Sequence, residues 1–414
     1  MKQDNFKVYG YRWIVLVVFM LIVAVTQLLW ITFASITSDA TKFYGVSDLS
    51  IGLLSMSFMI VYIIVSIPAS WVIDTYGIRV GVGIGAILTA VFGLLRGVWA
   101  SNYTLVLIAQ IGIAIGQPFV LNAVTTVAAR WFPLRERATA SGMGSLAIYL
   151  GIFLGLVLTP YLTNHFQIGG MLVAYGVASV VAALAFIIFS RERPATPPCA
   201  PGMEVRSLVL DGFKQIFKNK GFITLLIIFF IGLGVFNAVT TWIEDIVRPS
   251  GITSTQAGII GGLMIVGGIL GALVLPTYSD KIRRRTPFIK IALAGATLGL
   301  AGIAFASSYW LLLVAGFIMG FFLLSSGPIG FQYGAEITYP TPEGTSNGLL
   351  LMMGQISGIL FIFGMDSFKS PQTGSMMLSL IVLIVLMAIG LALSFLLKEP
   401  KVVITESDKA SAGD

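Results

Sequence analysis

The chain is a succession of long apolar runs separated by short polar or Gly/Pro-rich breaks. Twelve such runs start near residues 13, 51, 80, 103, 138, 168, 222, 256, 288, 309, 346 and 375. About 20 mostly apolar residues is the length a helix needs to cross the hydrocarbon of a bilayer. The pattern predicts an all-α polytopic membrane protein of twelve transmembrane helices. Between Arg191 and Gly221 the pattern lapses into six basic side chains and the Pro-rich run ATPPCAP, which divides six helices from six. The expected organisation is an N-terminal six-helix half over 1–190, a cytoplasmic linker over 191–221, a C-terminal six-helix half over 222–398 and a cytoplasmic tail over 399–414. Within the linker, Val205, Leu208, Val209, Phe213, Ile216 and Phe217 recur at helical spacing. They predict an amphipathic helix, lying on the inner leaflet or against neighbouring loops.

Composition sharpens the solvent question. Of 414 residues 57% are hydrophobic and only 10% charged, with a mean hydropathy of +0.95, which excludes a soluble enzyme of ordinary composition. The single cysteine, Cys199, forbids an internal disulfide, and the single histidine, His165, removes the usual Cys/His metal clusters. No cofactor is expected. No set of nucleophile, base and orienter presents itself either, so catalysis is not expected. The first apolar run, Trp13 to about Ile36, is too long for a cleaved signal peptide and is expected to stay.

The net charge of +7 changes the picture only through its distribution. With the N-terminus inside, 20 of the 25 Lys and Arg fall in inner loops and tails, and only Lys42, Arg248 and Lys369 fall outside; Arg96 and Lys290 lie within spans. This asymmetry predicts a multi-pass protein of the cell membrane with both termini cytoplasmic. The basic residues form no continuous stripe, so a nucleic-acid partner is not expected.

Acidic residues are the informative absence at mid-depth. All 18 Asp and Glu fall in loops or at span ends, among them Asp39, Glu244, Asp245, Glu336 and Asp366. A proton relay ordinarily needs an ionisable group inside the bilayer, so the pattern favours facilitated diffusion; Glu244 or Asp245 keeps proton coupling open. The spans do hold uncharged polar groups. Gln27 and Trp30 share a face of the first helix; Phe236, Asn237 and Thr241 lie on the seventh; Gln117 precedes Pro118 in the fourth; Gln355 lies in the eleventh. An unpaired amide in hydrocarbon costs several kcal/mol, so these faces are expected to line the bundle interior or a wet cavity, or to bond between helices. Trp30 lies too deep for an interfacial anchor, and its face suits an ammonium group.

The second span ends in Asp74-Thr-Tyr-Gly77-Ile-Arg79, and the eighth ends in Asp280-Lys-Ile-Arg283-Arg284-Arg285. An acid followed by arginines, repeated in register in each half, resembles the loop signature of the major facilitator superfamily, although Ser70 and Pro276 stand where that family prefers glycine. The opening RWIVLVVFMLIVAVTQLLWITFASI and the later GFQYGAEITYPTPEGTSNGLL and GQISGILF are similar to one branch of it, the feline leukaemia virus subgroup C receptor-related transporters of choline, ethanolamine and haem. The resemblance implies a major facilitator fold, a small-molecule substrate and a lipid-embedded monomer. It places Trp30, Gln117 and Gln355 at the substrate, beside Gln27, Phe236, Asn237 and Thr241. It places Asp74, Gly77, Arg79, Asp280, Arg283, Arg284, Glu336 and Glu343 at the gate. Asn237 stands where that branch has a Tyr, and Gln332 where it has a Glu, which points to a more hydrogen-bonding solute. The expected activity is secondary transport of a choline- or ethanolamine-like amine by alternating access. A proton-coupled exporter of amphipathic cations or haem-type solutes, and a non-transporting receptor, remain as alternatives.

Overall fold

The computed structural model describes residues 8–133, 136–196, 217–338 and 343–399. Most of the expected linker helix, and the tail from residue 400, lie outside the described residues. The helices are α1 (Arg12–Ile31), α2 (Thr37–Tyr44), α3 (Asp48–Tyr76), α4 (Ile78–Val98), α5 (Tyr103–Leu121), α6 (Val124–Trp131) and α7 (Arg137–Phe189) in the first half. The second half holds α8 (Lys220–Thr241), α9 (Ile243–Val247), α10 (Ser254–Ile282), α11 (Thr286–Phe305), α12 (Tyr309–Thr338), α13 (Glu343–Ser367) and α14 (Met377–Ser394).

Eleven of these are long and apolar enough to cross a membrane. One is too long for a single crossing. At 53 residues and 1.5 Å per residue, α7 would run about 80 Å, more than twice the hydrocarbon core. Its backbone leaves helical geometry at Gln167 (φ 58°, ψ 174°), so α7 is two limbs meeting at a sharp turn. The limbs are the runs expected near 138 and 168, and the count returns to twelve.

The two halves use the same helix pairings. In the first, α1 packs along the first limb of α7, α3 along α5, and α4 along both α5 and α7; in the second, α8 packs along α13, α10 along α12, and α11 along both α12 and α14. Between the halves α7 meets α10, and α3 meets α13. The outer surface is apolar, with Leu298 71% and Trp310 74% exposed. In water such a surface would aggregate; in a bilayer it is the solvated one.

Close helix approach depends on small residues, because lipid offers no hydrophobic drive to bring helices together. Along α10 and α12 the contact is backbone to side: a Cβ added at Gly271 would collide with the Phe321 carbonyl, and one at Gly320 with the Met264 carbonyl. Backbone oxygens cannot swing aside as a side chain can. Gly271→Ala and Gly320→Ala should therefore each destabilise the second half by about 1–3 kcal/mol, read as a lowered unfolding midpoint in detergent, whereas Gly348→Ala, which meets nothing within 4 Å, should leave it unchanged.

Candidate functional site

At the end of the bundle opposite the termini, helices α1 and α8 both stop short and restart after a break. α1 ends at Ile31 and α2 begins at Thr37; α8 ends at Thr241 and α9 begins at Ile243. The start of α2 has no side-chain cap of its own, since Ile36 occupies that position. Its orphan donor is met from the other half: Ser38 donates its backbone N–H (2.8 Å) and its hydroxyl (2.5 Å) to the Glu244 carboxylate. Glu244 is 1% exposed. Burial pushes its carboxyl above the usual carboxylate range and the neighbouring Asp245 adds to this, against the hydrogen bonds from Ser38 and the charge of Arg248.

More links surround this one. Asp245 accepts from Arg248 (2.7 Å) and from Lys369 Nζ (2.8 Å), and both cations also reach Asp48 of α3 in the first half. Ser254 donates to Asp39 (3.3 Å), and Asn164 to Thr255 (3.2 Å). Trp242, fully buried, donates its indole N–H to the Ile362 carbonyl (3.0 Å) while its ring edge fills the notch at Gly52. A Cβ at position 52 would sit 2.7 Å from Trp242 Cη2.

The end that carries the termini is organised differently. Between described residues, the hydrogen bonds and ion pairs there all stay within one half. Glu192, just after α7, accepts from the backbone N–H of Ile78 (3.1 Å) and Arg79 (2.8 Å) at the start of α4, and pairs with Arg130. Glu399, just after α14, does the same for α11, accepting from the N–H of Arg285 and of Thr286 (3.2 Å). Gly77 is required where it stands: its φ is 96°, and Glu192 occupies the space a Cβ would take. Arg285 binds Glu336 (3.0 Å), Asp280 and the Ser279 hydroxyl (3.2 Å).

Several gate residues named from sequence sit otherwise than expected. Arg283 and Arg284 have exposed side chains, and it is Arg285 that reaches back, because the chain turns at Arg283 (φ 54°) and aims the third arginine at α12. Asp74 and Arg79 are likewise exposed; Asp74 feels the charge of Arg130, and Arg79 contributes its backbone N–H. Glu336 and Asp280 are in the network, and the side chain of Glu343 lies outside the described residues. Sequence reasoning missed Glu192 and Glu399. A signal existed: each half ends in a basic residue, a Glu and a nearby Pro (Arg191-Glu192-Arg193-Pro194; Lys398-Glu399-Pro400).

Inside the bundle the structure joins Gln117 to Gln27, amide N–H to carbonyl at 3.3 Å. Trp30, one turn beyond Gln27, is 6% exposed and donates its indole N–H to the Ser55 carbonyl of α3 (3.2 Å). Asn237 donates to the Gly354 carbonyl of α13 (3.1 Å) and touches the Gly358 position, which Met59 of α3 also approaches. Phe236 and Thr241 are buried, the Thr241 hydroxyl without a partner among the described residues, and Gln355 is half-buried on α13. The candidates thus form one amide pair in the first half and one Asn–backbone contact in the second. By contrast, a groove of about 780 Å³ between α11 and α12 is lined only by apolar residues such as Leu298 and Phe305 and faces outward; it offers no polar group to a solute.

Two matched halves thus carry duplicated caps at one end and a charged bridge at the other. A family model described as Major Facilitator Superfamily matches residues 15–362. The chain belongs to the major facilitator superfamily. Among curated proteins it is 30% identical over 386 residues to Solute carrier family 49 member A3 of Xenopus tropicalis, covering 89% of this chain and 80% of that one. It is also 30% identical over 412 residues to Choline/ethanolamine transporter FLVCR1 of Felis catus, covering 94% and 72%. Among solved structures, a bacterial homologue of the human lysosomal transporter Spinster, inward-facing and unoccupied, superposes with a TM-score of 0.74 at 16% identity over 94% of this chain and 98% of that one. A D-xylose–proton symporter does so with 0.75 at 15%, over 93% and 98%. These structures share the fold.

Gly52→Leu should expel the Trp242 ring from its notch and open the bridged end. In a Cys199→Ser background, the substitution Thr240→Cys, at a fully buried position, should react with a membrane-impermeant thiol reagent about tenfold faster once Gly52→Leu is added. Glu244→Ala, which leaves the start of α2 uncapped, should favour the same opening by about 1–2 kcal/mol in that assay.

Proposed function

We propose that the chain carries a small organic solute across a cell membrane by alternating access, and that the solute is a choline- or ethanolamine-like amine. The single observation that carries this reading is the asymmetry of the bridges: hydrogen bonds and ion pairs tie the halves together at the end opposite the termini, through Ser38–Glu244 and the Asp48–Arg248–Asp245–Lys369 cluster. At the terminal end, the hydrogen bonds and ion pairs seen between described residues each stay within one half. The positive-inside distribution supports a cytoplasmic terminal end, and with it a state closed to the outside. The halves that rock are residues 1–190 and 222–398, acting as a monomer. Asp74, Gly77, Arg79, Asp280 and Glu336, with Arg285, Glu192 and Glu399, close the cytoplasmic side in the alternate state.

Trp30, Gln27, Gln117, Phe236, Asn237, Thr241 and Gln355 line the solute path. An amine is supported by relatives such as Choline/ethanolamine transporter FLVCR1 of Felis catus and by the chemistry of Trp30, whose ring face attracts a desolvated cation without a buried carboxylate. A second reading, proton-coupled export, is favoured by one observation, the buried Glu244 with its upward-shifted carboxyl at the bridge between halves.

In reconstituted vesicles, labelled choline or ethanolamine should accumulate only to equilibrium, and Trp30→Ala should raise the KM roughly 2- to 30-fold, the range of one cation–π contact. Uptake indifferent to Trp30→Ala would remove the site. An imposed pH gradient should leave the initial rate unchanged; acceleration by the gradient that disappears in Glu244→Gln would establish the second reading.

A further inference from the structure

Arg96 lies in the last turn of α4, inside the span, and is fully buried. Its role begins with the break in α1. A helix that ends buried in protein leaves carbonyls without partners and about half a negative charge at its end. Arg96 Nη1 donates to the Leu29 carbonyl (3.0 Å) and to Gln110 Oε1 (2.6 Å), while Gln110 Nε2 donates to the same Leu29 carbonyl (3.2 Å). Arg96 Nη2 donates to the Thr32 hydroxyl (3.2 Å). Leu29, Thr32 and Gln110 are each 0% exposed.

These bonds leave the guanidinium incompletely paired. It carries five N–H donors, of which three are accounted for. Among the described residues the Nε–H is buried without an acceptor, and one of the two hydrogens on Nη2 is left over as well. No carboxylate partners Arg96 among the described residues. The ionisable groups that act on it are two phenols, Tyr44 and Tyr175. Tyr175 is engaged with Thr159 (2.8 Å), whereas the Tyr44 hydroxyl is buried without a partner among the described residues. Phe33 joins the two residues: the Arg96 Cζ lies 5.8 Å from its ring centroid and the Tyr44 ring meets it edge-on at 6.4 Å. A full positive charge, offset only by a helix end, is thus enclosed beside two sets of unused donors and no acid.

We propose that a small monovalent anion of chloride size binds inside the first half, against the unpaired N–H groups of Arg96, with the Tyr44 hydroxyl as a further donor. The enclosure selects the class. Every residue bonded to Arg96 is fully buried, which favours a small anion that sheds its water over an organic carboxylate, sulfate or phosphate. The bound anion neutralises the guanidinium and fixes the end of α1, which carries Trp30 and leads to Ser38.

The test uses the purified full chain in detergent and follows the thermal unfolding midpoint in sodium chloride or sodium gluconate at equal ionic strength. Chloride and bromide should raise the midpoint saturably and sulfate should match gluconate, because only a ligand of the folded state shifts it. Tyr44→Phe removes one hydrogen bond to a charged group and should raise the half-saturating chloride concentration about tenfold. Arg96→Gln should abolish the response; where that variant does not fold, Tyr44→Phe carries the test. A midpoint that does not distinguish chloride from gluconate means water fills the site and overturns the proposal. So does a response that neither variant alters. Neither readout requires transport, so the failure of the carrier reading would leave this one standing.

Discussion

Hydrocarbon offers no hydrogen bonds, so a chain crossing it must satisfy every backbone N–H and C=O from within. Continuous helix does this everywhere except at its ends. The architecture can be read as the set of answers to that exception. Where α1 stops, buried in protein, Arg96 and Gln110 take the Leu29 carbonyl. Where α2 starts, Glu244 reaches across from the other half. Where α4 and α11 start, Glu192 and Glu399 supply the acceptors. At the more accessible starts local side chains suffice, as with Ser47 for α3, Asn102 for α5 and the Thr253–Gln256 capping box for α10.

These end-capping groups fall into two kinds, those that act within one half and one that acts between the halves. Glu192 and Glu399 cap helices of their own half. Glu244 caps a helix of the opposite half, so its contact holds only while the two halves meet there. A carboxylate buried this way is strongly held when paired and costly when stranded, which favours discrete closed and open arrangements over a continuum. The Trp242 ring in the Gly52 notch adds a steric seal beside the polar one.

Much of the fold was legible because its determinants are local. Run length gave the spans to within a few residues, and even the fifth and sixth, which the backbone joins at Gln167, appear as separate runs. The acid-and-arginine loops were legible as a repeat. Which arginine acts was not: Arg283, Arg284 and Arg285 are adjacent and chemically alike, and only the left-handed turn at Arg283 aims the third one at Glu336. Glu244 and Asp245 read as span-end acids, and their burial came from the other half closing over them. Arg96 read merely as a charge caught within a span, because its partners Leu29 and Gln110 lie 67 and 14 or more residues away.

The amino-acid order alone determined the solvent, the number of crossings, the division into halves and the inventory of polar groups at mid-depth, since each follows from side chains counted over a window no longer than one helix. The tertiary structure decided which of those groups meet: Gln27 with Gln117, Asn237 with α13, Arg96 with the end of α1, Glu244 with Ser38. The reason is that a helix fixes only the face on which a residue lies, whereas its partner depends on the rotation and depth of a neighbouring helix, set by the summed packing of many small residues and not by any local pattern.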